Sequence, residues 1–206
     1  MIRLHFTDEH LIVAEKPPGL LSVPGRGLDK QDCVVARVRE LYPDALTVHR
    51  LDQATSGLIV LARGPDAHRT LSKAFAGREV TKRYIAVVVG EVIDDQGEID
   101  LPLIADWPNR PRQMVDHVLG KPSLTRWRVL SRDASTTRLE LEPVTGRSHQ
   151  LRVHLMAIGH PILGDAFYAP PDVLAQSPRL LLHASALSLP HPVRGDIMSF
   201  QSPPEF

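Results

Sequence analysis

Only one cysteine, Cys33, occurs in 206 residues. An internal disulfide is therefore excluded, and so is the Cys-x-x-Cys zinc site of base deaminases. No apolar run approaches the roughly 20 residues that a membrane-spanning helix needs. The N-terminus, MIRLHFTDEH, lacks the basic-then-apolar layout of a signal peptide. Net charge is absent too: 24 basic residues face 24 acidic ones, which is not the global signature of a nucleic-acid binder. There is no G-x-x-x-x-G-K phosphate loop and no dinucleotide-binding glycine fingerprint. These absences argue against a disulfide scaffold, a membrane protein and nucleotide-driven or nicotinamide-dependent chemistry. They favour a cytoplasmic chain.

Charge is present but unevenly spread. From Arg63 to Arg83 six basic residues stand against two acids, and the same ratio recurs from Asp106 to Arg132. Residues 84–105 carry five acids and no base. Local clusters of Lys and Arg are what bind backbone phosphates, so two segments could hold RNA despite the neutral total. The plainer alternative is that they are solvated faces.

The length suits one domain with a full core. Two helices are expected. One opens at Gly64-Pro65, carries Ala67, Leu71, Ala74 and Phe75 at helical spacing, and closes at Gly77. The other takes Ser148 as N-cap, with Leu151, Leu155 and Ile158 as its apolar stripe. Residues 46–51, 58–62, 80–89, 124–130, 137–141 and 180–189 read as strands. Many strands and few helices predict an α+β fold with a mixed, largely antiparallel β-sheet flanked by helices and loops.

The most informative stretch is residues 49–63, HRLDQATSGLIVLAR. An acid, Asp52, sits where a strand gives way to the turn cluster Ala54-Thr55-Ser56-Gly57, two residues from Arg50. On an extended strand Val48, Arg50 and Asp52 would share one face. Asp is also common as a simple turn cap. His149 and His154, five apart, do not make an i, i+4 ligand pair, and the ten histidines are read as structural, with no metal site.

This stretch resembles the catalytic motif of the RluA family of pseudouridine synthases. LIVAEKPPGLLSVPG (11–25), KRYIAVVVGE (82–91), PVTGRSHQLRVHLMAIGHPILGD (143–165) and RLLLHA (179–184) resemble further blocks of that family in the same order, and DWPNRPRQ (106–113) resembles its RluA branch. The resemblance implies a single catalytic domain over residues 1–206, with no separate N-terminal RNA-binding module. It implies an isomerase that converts uridine to pseudouridine without cofactor or metal, in stem-loop RNA from 23S rRNA and possibly tRNA. A neutral single-domain enzyme with its own site has no evident need of an obligate protein partner, and a monomer is expected. The resemblance makes Asp52 the essential carboxylate, Arg152 its cationic partner and Tyr84 a third catalytic residue. Arg50 would fill the space left by a flipped base. Lys82, Arg110, Arg112, Arg147 and His149 would contact RNA, and Leu181 or Leu182 would wall the base pocket.

Two other readings compete. A non-catalytic RNA-binding or RNA-folding protein would need cations but no Asp52. A glycoside or nucleoside hydrolase would want a second carboxyl group. Asp165 is the nearest candidate for that, although it reads better as a turn residue after Gly164.

Overall fold

The amphipathic run at residues 64–76 folds as a helix, and the apolar runs on either side of it fold as strands. The computed structural model describes residues 2–206. In chain order it contains β1 (Arg3–Thr7), β2 (Leu11–Lys16), α1 (Val34–Arg39), β3 (Ala45–Thr47), β4 (Ser56–Arg63), α2 (Gly64–Ala76), β5 (Thr81–Val89) and β6 (Gln96–Asp100). There follow β7 (Leu103–Ala105), β8 (Gln113–Val115), β9 (Leu124–Arg132), β10 (Thr136–Pro143), α3 (Gln150–Ala157), α4 (Pro171–Leu174), β11 (Leu182–Pro190) and β12 (Ile197–Gln201). The pairs β1–β2, β2–β4, β3–β4, β5–β10, β10–β9, β9–β6, β7–β8 and β11–β12 are antiparallel and β4–β11 is parallel, so the fold is α+β, with mixed but mostly antiparallel strands and few helices. Two compact units are distinguishable. The first runs up to Lys82 and adds His183–Glu205; the second is Arg83–Leu182 with Phe206.

Strand β4 is the spine of the first unit. β2 pairs along one edge, while the other edge is shared by β11 at Ser56 and Gly57 and by β3 at Leu61–Arg63. Every residue from Ser56 to Ala62 is buried, as expected of a strand covered on both faces. Leu58, Val60 and Ala62 meet Ala67, Leu71 and Ala74 of α2 in a core that also takes in Leu11, Val13, Leu187 and Leu189. Pro65 occupies the first turn of α2, where its missing N–H costs nothing. The left-handed residue that ends the helix is Arg78 (φ 62°) rather than Gly77. The Glu79 N–H reaches back 2.9 Å to the Ala74 carbonyl and closes the last turn.

In the second unit β5, β10, β9 and β6 lie side by side in that order, and β7 and β8 form a separate two-stranded ladder. Along β10 Thr137, Leu139, Leu141 and Pro143 are buried while the residues between them are half-buried, the two-residue period of a strand with one core face.

Gly57 is where β4 must bend past its parallel neighbour. Its φ is +112°, and an added Cβ would overlap the backbone oxygen and nitrogen of Ala184. Gly159 also has positive φ, +87°, but open space around it. We expect Gly159→Ala to cost roughly 1–2 kcal/mol of stability, the left-handed penalty alone, and Gly57→Ala to cost at least about 2 kcal/mol more. Urea unfolding of both variants measures the difference; equal losses would remove the crowding argument.

Candidate active site

The expected strand over residues 46–51 stops at Thr47, and the reason is local. The next rung of the β3–β4 ladder would need the Val60 N–H, but that group donates to His49 Nε2 at 3.0 Å. Two residues on, Leu51 turns its N–H (3.1 Å) and its carbonyl (2.8 Å) to the Ser22 hydroxyl. Side chains therefore replace the partner strand, and residues 48–55 form an irregular arch. The shared strand face expected for Val48, Arg50 and Asp52 has no strand to carry it. Arg50 is exposed, while Asp52 is half-buried.

Lys16 organises this arch. Its side chain is fully buried. Its Nζ donates to the carbonyls of Leu20 (2.7 Å), Gln53 (2.8 Å) and Pro17 (3.0 Å). An ammonium has three N–H donors, and three carbonyls converge on them. The same Gln53 carbonyl accepts the Gly19 N–H at 2.9 Å, Gln53 Nε2 returns a bond to the Gly19 carbonyl at 3.0 Å, and the Thr55 N–H donates to the Asp52 carbonyl at 3.1 Å. Asp52 therefore rides on a turn tied on both sides to the Pro17–Ser22 loop. Beyond it, Ser56 Oγ lies 2.9 Å from His183 Nδ1. His183 Nε2 donates to the Ser202 carbonyl at 3.0 Å, so the ring is held from both of its nitrogens.

His49 is packed between β4 and α2, its ring stacked on Phe75 at 4.6 Å. It keeps a rim of solvent contact, yet burial, with Lys82 nearby as the lesser cause, pushes its pKa from 6.5 down to about 3. Lys82 is half-buried, and burial lowers its own pKa.

In the second unit Arg152 is 3% exposed and gives Asp165 two bonds, Nε to Oδ2 at 2.8 Å and Nη2 to Oδ1 at 2.6 Å. Such a fork fixes a guanidinium in direction as well as in place. It is not an ordinary exposed helix arginine. Asp165 is a turn residue, as its sequence suggests, since Oδ1 also accepts the N–H groups of Phe167 (2.9 Å) and Tyr168 (3.2 Å). Its pairing with Arg152 had no signal in sequence. Arg152 lies 5.1 Å from the ring centres of both Phe167 and Tyr168. Tyr168 Oη accepts the Gln113 N–H at 2.8 Å and lies 2.6 Å from His149 Nδ1. The Tyr168 hydroxyl thus ties the β7–β8 hairpin to the start of α3.

That start differs from expectation. Ser148 is exposed and His149 is the N-cap, in the left-handed region (φ 54°) with no capping bond from its side chain. Gln150 holds the turn instead. Its Oε1 accepts from Thr145 Oγ1 (2.7 Å) and the Arg147 N–H (3.0 Å), and its Nε2 donates to the Leu124 carbonyl (2.9 Å) and to Thr125 Oγ1 (3.0 Å). Leu151 and Leu155 are buried, but Ile158 is a partly exposed C-cap.

Of the other candidates, Tyr84 is buried on β5 opposite Leu141 of β10. Arg147 is exposed and reaches the Pro122 carbonyl. Arg112 is exposed but bonds the Phe167 carbonyl. Leu182 is 2% exposed and belongs to the core, whereas Leu181 keeps accessible surface. The basic segment ending at Arg132 is largely neutralised on β9: Arg126 pairs with Glu98, Arg128 with Glu140 and Arg132 with Asp95. His154, His160 and His191 each bond a protein oxygen. Among the described residues no group of three His, Cys, Asp or Glu is placed to hold a metal ion.

With this geometry, residues 10–157 match the RNA pseudouridylate synthase family, and the chain belongs to it. It is an RNA pseudouridine synthase, an isomerase. It is 52% identical over 202 residues to the dual-specificity RNA pseudouridine synthase RluA of Escherichia coli K12, spanning 98% of this chain and 92% of that protein. The Yersinia pestis protein of the same name is likewise 52% identical, over 98% of both chains. Among solved structures, human RNA pseudouridylate synthase domain containing 1 superposes with a TM-score of 0.84 at 26% identity, covering 100% of this chain and 84% of that one. Human RNA pseudouridylate synthase domain containing 4 gives 0.79 at 27% identity, over 98% and 88%.

His49 makes stability depend on pH. In the unfolded chain its imidazole takes a proton below about 6.5, but in the folded protein it resists until about 3. Stability from this group is therefore intact above 6.5 and falls as pH drops through that window, by about 1.4 kcal/mol per unit. Between pH 7 and 5 wild type should lose about 2 kcal/mol more than His49→Gln. Urea unfolding at both pH values tests this, and parallel losses would contradict it.

Proposed function

We propose that Asp52 is the carboxylate on which the isomerisation turns, with Tyr84 and Arg152 serving the same reaction. The observation that carries this reading is the turn itself. An acid in the HRLDQATSG motif is held half-buried on an arch whose backbone is tied down by Lys16, Gly19 and Ser22. Fixing a reacting group in advance is how a site lowers a barrier without reorganising at the moment of reaction. The reaction breaks the bond from uracil N1 to ribose C1′, forms one from C5 to C1′, releases the C5 hydrogen to water and returns a proton to N1. No atom is gained or lost overall, so no cofactor, metal or nucleotide energy source is required.

The substrates we infer are uridines in stem-loops of large-subunit ribosomal RNA and of tRNA, in line with the dual-specificity name of the relatives. Unpaired loops are where bases can be splayed out and read. Arg50, exposed on the arch, is suited to fill the gap that a flipped uridine leaves. Lys82, Arg110, Arg112, Arg147 and His149 are proposed RNA contacts, and Leu181 is a better base wall than Leu182 because it keeps surface to offer. No helix among the described residues is long and apolar enough to cross a membrane, and we place the enzyme in the cytoplasm as a monomer. A hydrolase reading gains nothing from Asp165, whose carboxylate is fully buried and committed to Arg152 and two backbone N–H groups.

Stem-loop RNA carrying tritium at uracil C5, incubated without ATP or metal, should release tritium with wild type and not with Asp52→Asn, and no free uracil should form. Release by the variant at the wild-type rate would overturn the role of Asp52. Free uracil would indicate a hydrolase, and RNA binding without release by either protein would indicate a binding protein.

A further inference from the structure

The tip of the β7–β8 hairpin exposes a large aromatic ring, that of Trp107. Trp107 is 66% exposed, and among the described residues every other Phe, Tyr and Trp is buried or half-buried. The Arg110 guanidinium carbon lies over the ring, 3.0 Å from its centroid. Arg110 makes no ion pair among the described residues. A cation on one side of an indole leaves its opposite side available as a flat, electron-rich surface.

The tip is also held firmly. The Asn109 N–H donates to the Asp106 carbonyl (3.1 Å), the Arg112 N–H to Asn109 (3.0 Å) and the Asp106 N–H to Arg112 (3.0 Å). The Asn109 side chain closes on the Asp106 carboxylate at 3.0 Å. The loop is then fastened to the body of its unit by Arg112 on the Phe167 carbonyl and by the Gln113 N–H on Tyr168 Oη. The ring therefore stands on a braced turn, and stacking on it would cost little ordering.

We propose that Trp107, backed by Arg110, is a stacking platform for one unpaired base of the RNA substrate. Aromatic faces accept any base, with sequence tolerance, and a neighbouring guanidinium suits the phosphate that accompanies it. Charge favours RNA over a protein partner. Arg110 and Arg112 are exposed cations of the tip loop itself, while of the hairpin's other exposed apolar side chains Met114 lies within β8 and Val118 and Leu119 lie beyond the opposite end of the ladder. This inference rests on the RNA substrate proposed above and adds Trp107, a stacking surface that is not among the contacts named there.

Trp127 is the other tryptophan, so Trp127→Phe leaves Trp107 as the sole indole fluorophore. In that background, carrying Asp52→Asn to prevent turnover, a stem-loop RNA from which wild type releases tritium is titrated while gel retardation reports binding independently. Emission from Trp107 should be quenched in step with binding. In otherwise wild-type enzyme, Trp107→Ala should raise KM between roughly five- and a hundredfold with kcat little changed, and Trp107→Phe should restore most of the loss. RNA bound with Trp107 emission unchanged, or Trp107→Ala at wild-type KM, would overturn the platform and leave the proposed function standing. Absence of both binding and tritium release would overturn the RNA reading and the platform with it.

Discussion

One buried ammonium meeting three carbonyls holds the functional part of the first unit together. Lys16 ends β2 with no exposed surface, and its partners lie on two separate stretches, Pro17 and Leu20 on one and Gln53 on the other. A buried lysine is tolerated only where its donors are satisfied, so the two stretches are compelled to converge. The result is an arch without secondary structure whose backbone groups are nonetheless bonded to specific partners. An acid placed on such an arch can be presented to a substrate, which one in the middle of β4 could not be.

The second unit solves a similar problem with an anion. Asp165 is fully buried, and it collects a bidentate arginine and two turn N–H groups. Gly164 before it has φ +72°, and an added Cβ there would overlap the Arg179 carbonyl, so the acid can only follow a glycine. The Tyr168 hydroxyl extends the same cluster to the hairpin. Arg152 is thereby held by a carboxylate that is itself held by backbone, and the hairpin tip is braced by the loop that carries that carboxylate.

Much of this was legible in the residues. The amphipathic spacing of α2, the β-branched run of β5 and the strand-like runs of β9, β10 and β11 placed those elements to within a residue or two, because local pattern and burial agreed. The family resemblance of HRLDQATSG drew attention to Asp52. What sequence could not show were the long-range substitutions. Nothing around residue 49 announces that a histidine will take the N–H of Val60, or that Ser22 will bond both backbone groups of Leu51, and those two contacts ended the expected strand. Ser148 looked like a helix cap, but Gln150 was able to bond four groups from one side chain and displaced it. The β9 arginines looked available until their cross-strand carboxylates were in view. Lys16, in AEKPPG, had a signal: a lysine closing an apolar strand just before a Pro-Pro-Gly turn has no solvent to reach.

The claim that Lys16 sets the position of the Asp52 turn is tested most directly by hydrogen exchange on Lys16→Met, which keeps the bulk of the side chain but has no donors. The amides of Gly19 and Thr55, bonded to the Gln53 and Asp52 carbonyls, should exchange at least about tenfold faster, a loss of about 1.4 kcal/mol of local protection. Amides within β4 should change far less, and tritium release should fall through kcat. Unchanged protection at Gly19 and Thr55 with full turnover would contradict the account.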